Sequence, residues 1–184
     1  HLGLPRERCF STGTSLDTAR LKRTVSELAN IDRKSVTTCD IAEHGDSSFV
    51  PFSTLTLGGK NYKELQEAKP EKYSKLTEDF VLERTRYIGY DIINGKGSTE
   101  FGIGAACADI CKAIFHDEKR VIPASVLLEG EYGIDGVACG VPCVIGRNGI
   151  EDIIELELND KEKEQMAHTC SVIKDYCERA EKVK

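Results

Sequence analysis

The apolar residues of this 184-residue chain change their period at Arg120, and that change fixes the fold class. Before it they recur three and four positions apart, the spacing of a helix with one buried face. Residues 14–30 carry Leu16, Leu21, Val25 and Leu28. Residues 77–94 place Val81, Thr85, Ile88 and Ile92 on one stripe, with Gly95 as a stop. Residues 100–116 are expected to turn Ile103, Ala106, Cys107, Ile110, Cys111 and Ile114 inward. Between these helices, residues 35–42 read as a strand, and residues 49–57 as a mixed segment ending at the Gly58-Gly59 turn.

After Arg120 the apolar runs shorten and glycine turns separate them. Residues 121–128, 136–139, 141–145 and 150–158 read as four strands of an antiparallel meander, with Arg147-Asn148-Gly149 as one of its turns. Asn159-Asp160-Lys161-Glu162 then has the form of a capping box. It opens a long last helix with Met166, Cys170, Ile173, Cys177 and Ala180 along one seam. Helices grouped around grouped strands mean an α+β fold, an antiparallel sheet packed with long helices, and not a doubly wound parallel sheet. No repeat, low-complexity stretch or linker divides residues 1–184, so they read as one domain.

Charge and cysteine content narrow the partners. A formal net charge of −6 argues against a nucleic-acid-binding surface, which needs a positive field. No run approaches the length of a membrane span. Of the eight cysteines, Cys107/Cys111 and Cys139/Cys143 form two pairs with the ligand chemistry of a zinc site. Each pair lies in an apolar segment, however, where a thiol packs as a small hydrophobe. The expectation is therefore buried, reduced thiols in a cytoplasmic protein, with no metal. The opening His1-Leu2-Gly3-Leu4-Pro5 has no basic-then-apolar leader and reads like the cut edge of something longer.

Two short polar segments carry the chemistry. In Gly13-Thr14-Ser15-Leu16-Asp17-Thr18-Ala19-Arg20, Asp17 and Arg20 stand three apart on one helical face. In Glu43-His44-Gly45-Asp46-Ser47, a histidine follows a strand and precedes a glycine. Taken singly, the first is a surface ion pair and the second a loop histidine. Together they supply a proton donor, a carboxylate to orient it, and a guanidinium fork that fits a substrate carboxylate. That set suits proton transfer at a carbon–oxygen centre beside a carboxylate.

These segments, with Lys96-Gly97-Ser98-Thr99, Gly140-Val141-Pro142 and Gly146-Arg147-Asn148-Gly149, resemble the carboxy-terminal, substrate-binding domain of the lactate/malate dehydrogenase family, nearest its L-lactate branch. The resemblance runs nearly end to end. It implies a catalytic pair of His44 as acid/base group and Asp17 as its partner. Substrate would be bound by Arg20, Thr99 and Asp17, and His44 would lie near the nicotinamide. The implied cofactor is NAD, held mainly by an amino-terminal dinucleotide-binding (Rossmann) domain that this chain lacks. The implied reaction interconverts pyruvate and L-lactate, small 2-oxo and 2-hydroxy acids, and the implied assembly is a homo-oligomer, a dimer or tetramer.

Gly102-Ile103-Gly104-Ala105-Ala106-Cys107 imitates the start of a dinucleotide-binding turn, but it has no preceding strand and falls inside a helix. Without the cofactor domain the chain is expected to be inactive alone. The residue two places after Arg20 is Lys22, and the residue seven places before His44 is Thr37. In the family, fructose 1,6-bisphosphate activation uses an arginine and a histidine there, so this regulation is not expected. Ala42 stands where the family usually has glycine. The alternatives are a lactate-dehydrogenase-like malate dehydrogenase domain, an L-2-hydroxyisocaproate dehydrogenase domain, or a non-catalytic oligomerisation module of the same fold.

Overall fold

The structure, a computed structural model, describes residues 3–182, so His1 and Leu2 of the opening stretch lie outside it. Helix α1 (Ser15–Ala29) starts from a turn through Gly13 and Thr14, closed by the Ser15 amide on the Thr12 carbonyl at 3.0 Å, and ends where Asn30 takes a left-handed conformation. A small antiparallel sheet follows, made of β1 (Val36–Thr37), β2 (Thr56–Leu57) and β3 (Lys60–Asn61), the last two joined through Gly58-Gly59. Short helices α2 (Tyr62–Ala68) and α3 (Pro70–Tyr73) lead to α4 (Glu78–Lys96) and α5 (Glu100–Phe115). The main sheet is β4 (Arg120–Glu129), β5 (Asp135–Gly146) and β6 (Gly149–Ile153), paired antiparallel in chain order. Helix α6 (Asp160–Glu181) closes the described chain. The α+β class and the antiparallel sheet are as the sequence indicates.

Two apolar clusters form. One lies on the main sheet, where alternate β4 residues Ile122, Ala124, Val126 and Leu128 point inward with Val141, Cys143 and Ile145 of β5. Helix α6 adds Met166 and Cys170 to it. The other gathers Leu21, Val25 and Ala29 of α1 with Val36, Phe52, Leu55, Leu76 and Val81. The capping box at α6 forms: Asn159 Oδ1 accepts from the Glu162 amide and Glu162 Oε2 from the Asn159 amide, both at 3.0 Å. The same buried Glu162 carboxylate also accepts from the Ser53 amide at 3.0 Å and the Ser53 hydroxyl at 2.6 Å. One side chain thus ties the start of α6 to residue 53, whose neighbours Phe52 and Leu55 belong to the second cluster.

Several local readings need correction. Residues 136–139 and 141–145 are one strand, because Gly140 is not a turn. A Cβ there would lie 2.7 Å from Thr14 Oγ1 and 3.1 Å from the Ala42 carbonyl, so the glycine serves a close approach of backbones. The last strand stops at Ile153 rather than running to residue 158. Of residues 35–42 only Val36–Thr37 is strand; Ile41 and Ala42 make single bridges to Phe49 and Gly140. Helix α5 buries only Ile110 and Ala113, leaving Ile103, Cys107 and Cys111 exposed, because it packs on one narrow side against α1 and β5. Cys9 and Cys177 are exposed too, so half of the thiols are not core residues. Cys177 and Ala180 extend α6 past the sheet that covers Met166 and Cys170.

Candidate active site

Asp17 sits in the first turn of α1, where the positive end of the helix favours a carboxylate. One helical turn on, Arg20 shares its face, and Arg20 Nη1 donates to Asp17 Oδ1 at 3.3 Å. Leu21 and Val25, on the adjoining stripe of the same helix, are locked into the core, which fixes the direction in which the pair projects. Both side chains are largely covered, with 16% and 17% of their surface exposed.

His44 arrives from a different part of the chain. Its loop is held at three points. Ala42 takes a left-handed backbone (φ 77°) and exchanges two hydrogen bonds with Gly140, each 2.7 Å. The Glu43 carboxylate folds over the loop and accepts from the Ser47 amide at 3.1 Å and from the Ser47 hydroxyl. That hydroxyl in turn meets the buried Thr169 hydroxyl of α6 at 2.7 Å. Gly45 lies under this arch, where a Cβ would come to 2.7 Å of Glu43 Oε1 and displace that side chain.

These supports bring His44 Nδ1 to 2.5 Å from Asp17 Oδ2, across 27 residues of sequence. Asp17 thus spends one oxygen on Arg20 and the other on His44. The imidazole itself is 60% exposed, so Nε2 faces outward from a held ring. A cavity of about 280 Å³ opens beside it, with Asp17, Arg20, Asp40, Ser48 and Arg86 among its walls. Asp17, Arg20 and His44 therefore converge. Thr99 does not join them: it is half-buried at the start of α5 and lines an adjacent groove of about 540 Å³, which shares only Arg20 with the His44 cavity.

Two residues of this cavity escape sequence reasoning. Asp40 is 8% exposed, and its Oδ1 has no hydrogen-bond partner among the described residues. Its backbone amide donates to the Thr18 hydroxyl at 2.9 Å, which holds it against α1. Burial, then the nearby Asp17 charge, push its carboxyl up to about 8, against the pull of the Ser48 hydroxyl and Arg86. The only signal was an acid in an otherwise apolar and hydroxyl-bearing run. Arg86, on α4, gave no signal beyond its charge. Lys22 is lowered by burial on the far side of α1, away from the cavity.

Among the described residues, no group of three His, Cys, Asp or Glu side chains is placed to hold a metal. Residues 102–107 lie within α5 and not between a strand and a helix start, which is not the setting of a dinucleotide-binding turn.

Residues 14–184 match the family described as lactate/malate dehydrogenase, alpha/beta C-terminal domain. The L-lactate dehydrogenase of Fusobacterium nucleatum subsp. nucleatum is 42% identical over 176 residues, covering 96% of this chain and 55% of the relative. L-lactate dehydrogenase 1 of Staphylococcus aureus is 41% identical over 182 residues, 99% of this chain and 57% of the relative. A solved lactate dehydrogenase enzyme from a Medee basin deep-sea metagenome library superposes with a TM-score of 0.88 at 36% identity, over 94% of this chain and 55% of that one. The chain belongs to the lactate/malate dehydrogenase family, as its α/β C-terminal domain. It spans little more than half the length of these relatives, and no described helix is long and apolar enough to cross a membrane.

Proposed function

We propose that residues 1–184 are the substrate-binding, acid/base domain of an NAD-dependent L-lactate dehydrogenase, interconverting pyruvate and L-lactate. The observation that carries this reading is the 2.5 Å contact of His44 Nδ1 with Asp17 Oδ2, which leaves Nε2 free at a cavity walled by Arg20. Arg20 holds the substrate carboxylate: Nη1 is engaged by Asp17, and its other nitrogens make no hydrogen bond among the described residues. In the reducing direction His44 Nε2 gives its proton to the 2-oxo oxygen, and Asp17 stabilises the imidazolium beforehand. In the oxidising direction the neutral imidazole takes the proton of the 2-hydroxyl.

NAD, when bound, supplies or accepts the hydride at C2; that is chemistry no side chain of this chain provides. His44 is the contact we assign near the nicotinamide. The phosphates and ribose fall to a separate dinucleotide-binding domain of the kind the longer relatives have room for. Thr99 contributes from the neighbouring groove once the substrate bridges the two openings at Arg20.

One observation favours a second reading, a larger 2-oxo acid. The α4 residue opposite Arg20 is Gly89, and a Cβ there would come to 3.7 Å of the guanidinium, so the wall beside the fork is bare. The alternatives separate when the chain is fused behind the leading half of the Fusobacterium nucleatum relative and assayed with NADH. Pyruvate should be reduced fastest; faster turnover of 2-oxoisocaproate or oxaloacetate would shift the assignment, and full activity of His44→Ala would return it to a non-catalytic module. The unfused chain mixed with pyruvate and NADH should show negligible turnover. Self-association into dimers or tetramers, also proposed, is read by sedimentation of the same fusion, and the setting proposed is cytoplasmic.

A further inference from the structure

Cys139 on β5 and Cys170 on α6 meet inside the main core with their sulfurs 3.9 Å apart. They are 1% and 4% exposed, and the proposed reaction uses neither. Each is the chain neighbour of a residue that holds the His44 loop. Gly140, next to Cys139, makes the paired 2.7 Å bonds to Ala42. Thr169, next to Cys170, makes the 2.7 Å contact to Ser47, which binds Glu43.

The two thiols are also unlike their buried neighbours. Burial pushes Cys39 and Cys143 up to about 12 and leaves them inert. The contact between the two sulfurs instead lowers the Cys170 thiol and raises the Cys139 thiol, which favours a thiolate, the nucleophilic form, at Cys170. A nucleophilic sulfur with a second thiol already in contact is the arrangement of an attacking and a resolving cysteine.

We propose that Cys139 and Cys170 form a redox modification site, joined by a peroxide-class oxidant into a disulfide that ties β5 to α6 beside the His44 loop. The Cys170 thiolate attacks one peroxide oxygen and breaks the O–O bond, giving a sulfenic acid and hydroxide, which leaves as water with a solvent proton. The Cys139 sulfur then attacks the sulfenic sulfur, and the displaced hydroxide leaves as water with the Cys139 proton. Two thiols and one hydrogen peroxide become one disulfide and two waters; the sulfurs are oxidised and the peroxide oxygens reduced. The sulfurs must close from 3.9 Å to about 2 Å. The hydrogen bonds one residue away from each cysteine leave little slack, so the Glu43–Ser48 loop registers the closure. The disulfide stands independently of the activity proposed above.

The test uses the full chain with Cys9, Cys107, Cys111 and Cys177, all exposed, changed to serine. Hydrogen peroxide treatment, alkylation and mass spectrometry should show the loss of two hydrogens. Digestion should yield one cross-linked peptide pair holding residues 139 and 170, which dithiothreitol separates. Adding Cys170→Ser should abolish it. Amide NMR signals of residues 43–48 should shift on oxidation and return on reduction. If the serine background does not fold, the wild-type chain with its exposed thiols capped by iodoacetamide gives the same readout. Oxygen added to separate thiols, a cross-link through Cys39 or Cys143, or unreacted buried thiols would overturn the site. A disulfide that leaves the 43–48 amides unmoved would overturn its tie to the loop.

Discussion

Helices α1 and α5 touch each other, yet they use their apolar residues in opposite ways. Helix α1 is rich in charge, with Asp17, Arg20, Lys22, Arg23 and Glu27, but three of its apolar residues, Leu21, Val25 and Ala29, are wholly buried. Helix α5 is almost continuously apolar, but it buries only Ile110 and Ala113, and Phe101 and Phe115 at its two ends are each 81% exposed. The difference lies in what stands opposite. Helix α1 is enclosed by α4, β1 and β4, whereas α5 has neighbours on one side. Burial therefore follows the opposing elements and not the apolar content of the helix. The better-anchored helix is also the one that projects Asp17 and Arg20, consistent with a site that needs fixed geometry.

The largest test of this contrast is functional. In the active fusion, His44→Ala should lower kcat by roughly a thousandfold, within the range for a general acid/base group, whereas Phe101→Ser should leave the His44–Asp17 geometry intact. Steady-state kinetics decide it. Next comes packing: Leu21→Ala on α1 should cost about 2–5 kcal/mol in urea denaturation, because the side chain is fully buried.

Asp40 gives a smaller, pH-dependent effect. Its carboxyl is held above the unfolded value of 3.8, at about 8, so the folded state binds a proton that the unfolded state releases. Its contribution is fully present below about pH 4 and is lost as pH rises toward 8, at up to about 1.4 kcal/mol per pH unit. Asp40→Asn should flatten the fall in melting temperature between pH 5 and 8; an unchanged slope would contradict a protonated Asp40. The smallest expected effect is Phe101→Ser on α5, within about 0.5 kcal/mol in the isolated chain. A large loss there would mean that α5 is covered in solution.

What the sequence revealed divides along the same line. Asp17 and Arg20 were legible because three residues on a helix bring side chains together by local geometry alone. Their meeting with His44 is non-local; chemistry and the family resemblance suggested it, and the Ala42–Gly140 bridge and the Ser47–Thr169 contact bring it about. Thr99 was read from resemblance as part of the same pocket, yet its nearest opening is the adjacent groove. Gly140 was misread because a glycine that admits another backbone looks, in sequence, like a glycine that turns the chain. The inward face of α5 was misread because periodicity marks where apolar residues lie and not whether anything covers them. Asp40 left almost no trace, since one acid in a short run does not announce its burial.

Glu162 has a consequence for how the molecule comes apart. Its carboxylate serves the first turn of α6 and residue 53 together, and those adjoin different apolar clusters, Leu158 and Met166 in one, Phe52 and Leu55 in the other. Melting either cluster strips hydrogen-bond partners from a buried carboxyl group and so weakens the other, which makes the two clusters a single cooperative unit. With Glu162→Ala the rivet is gone, and the cooperative melting curve of the chain should broaden or split into two steps, the α1 cluster and the main sheet each unfolding on its own schedule.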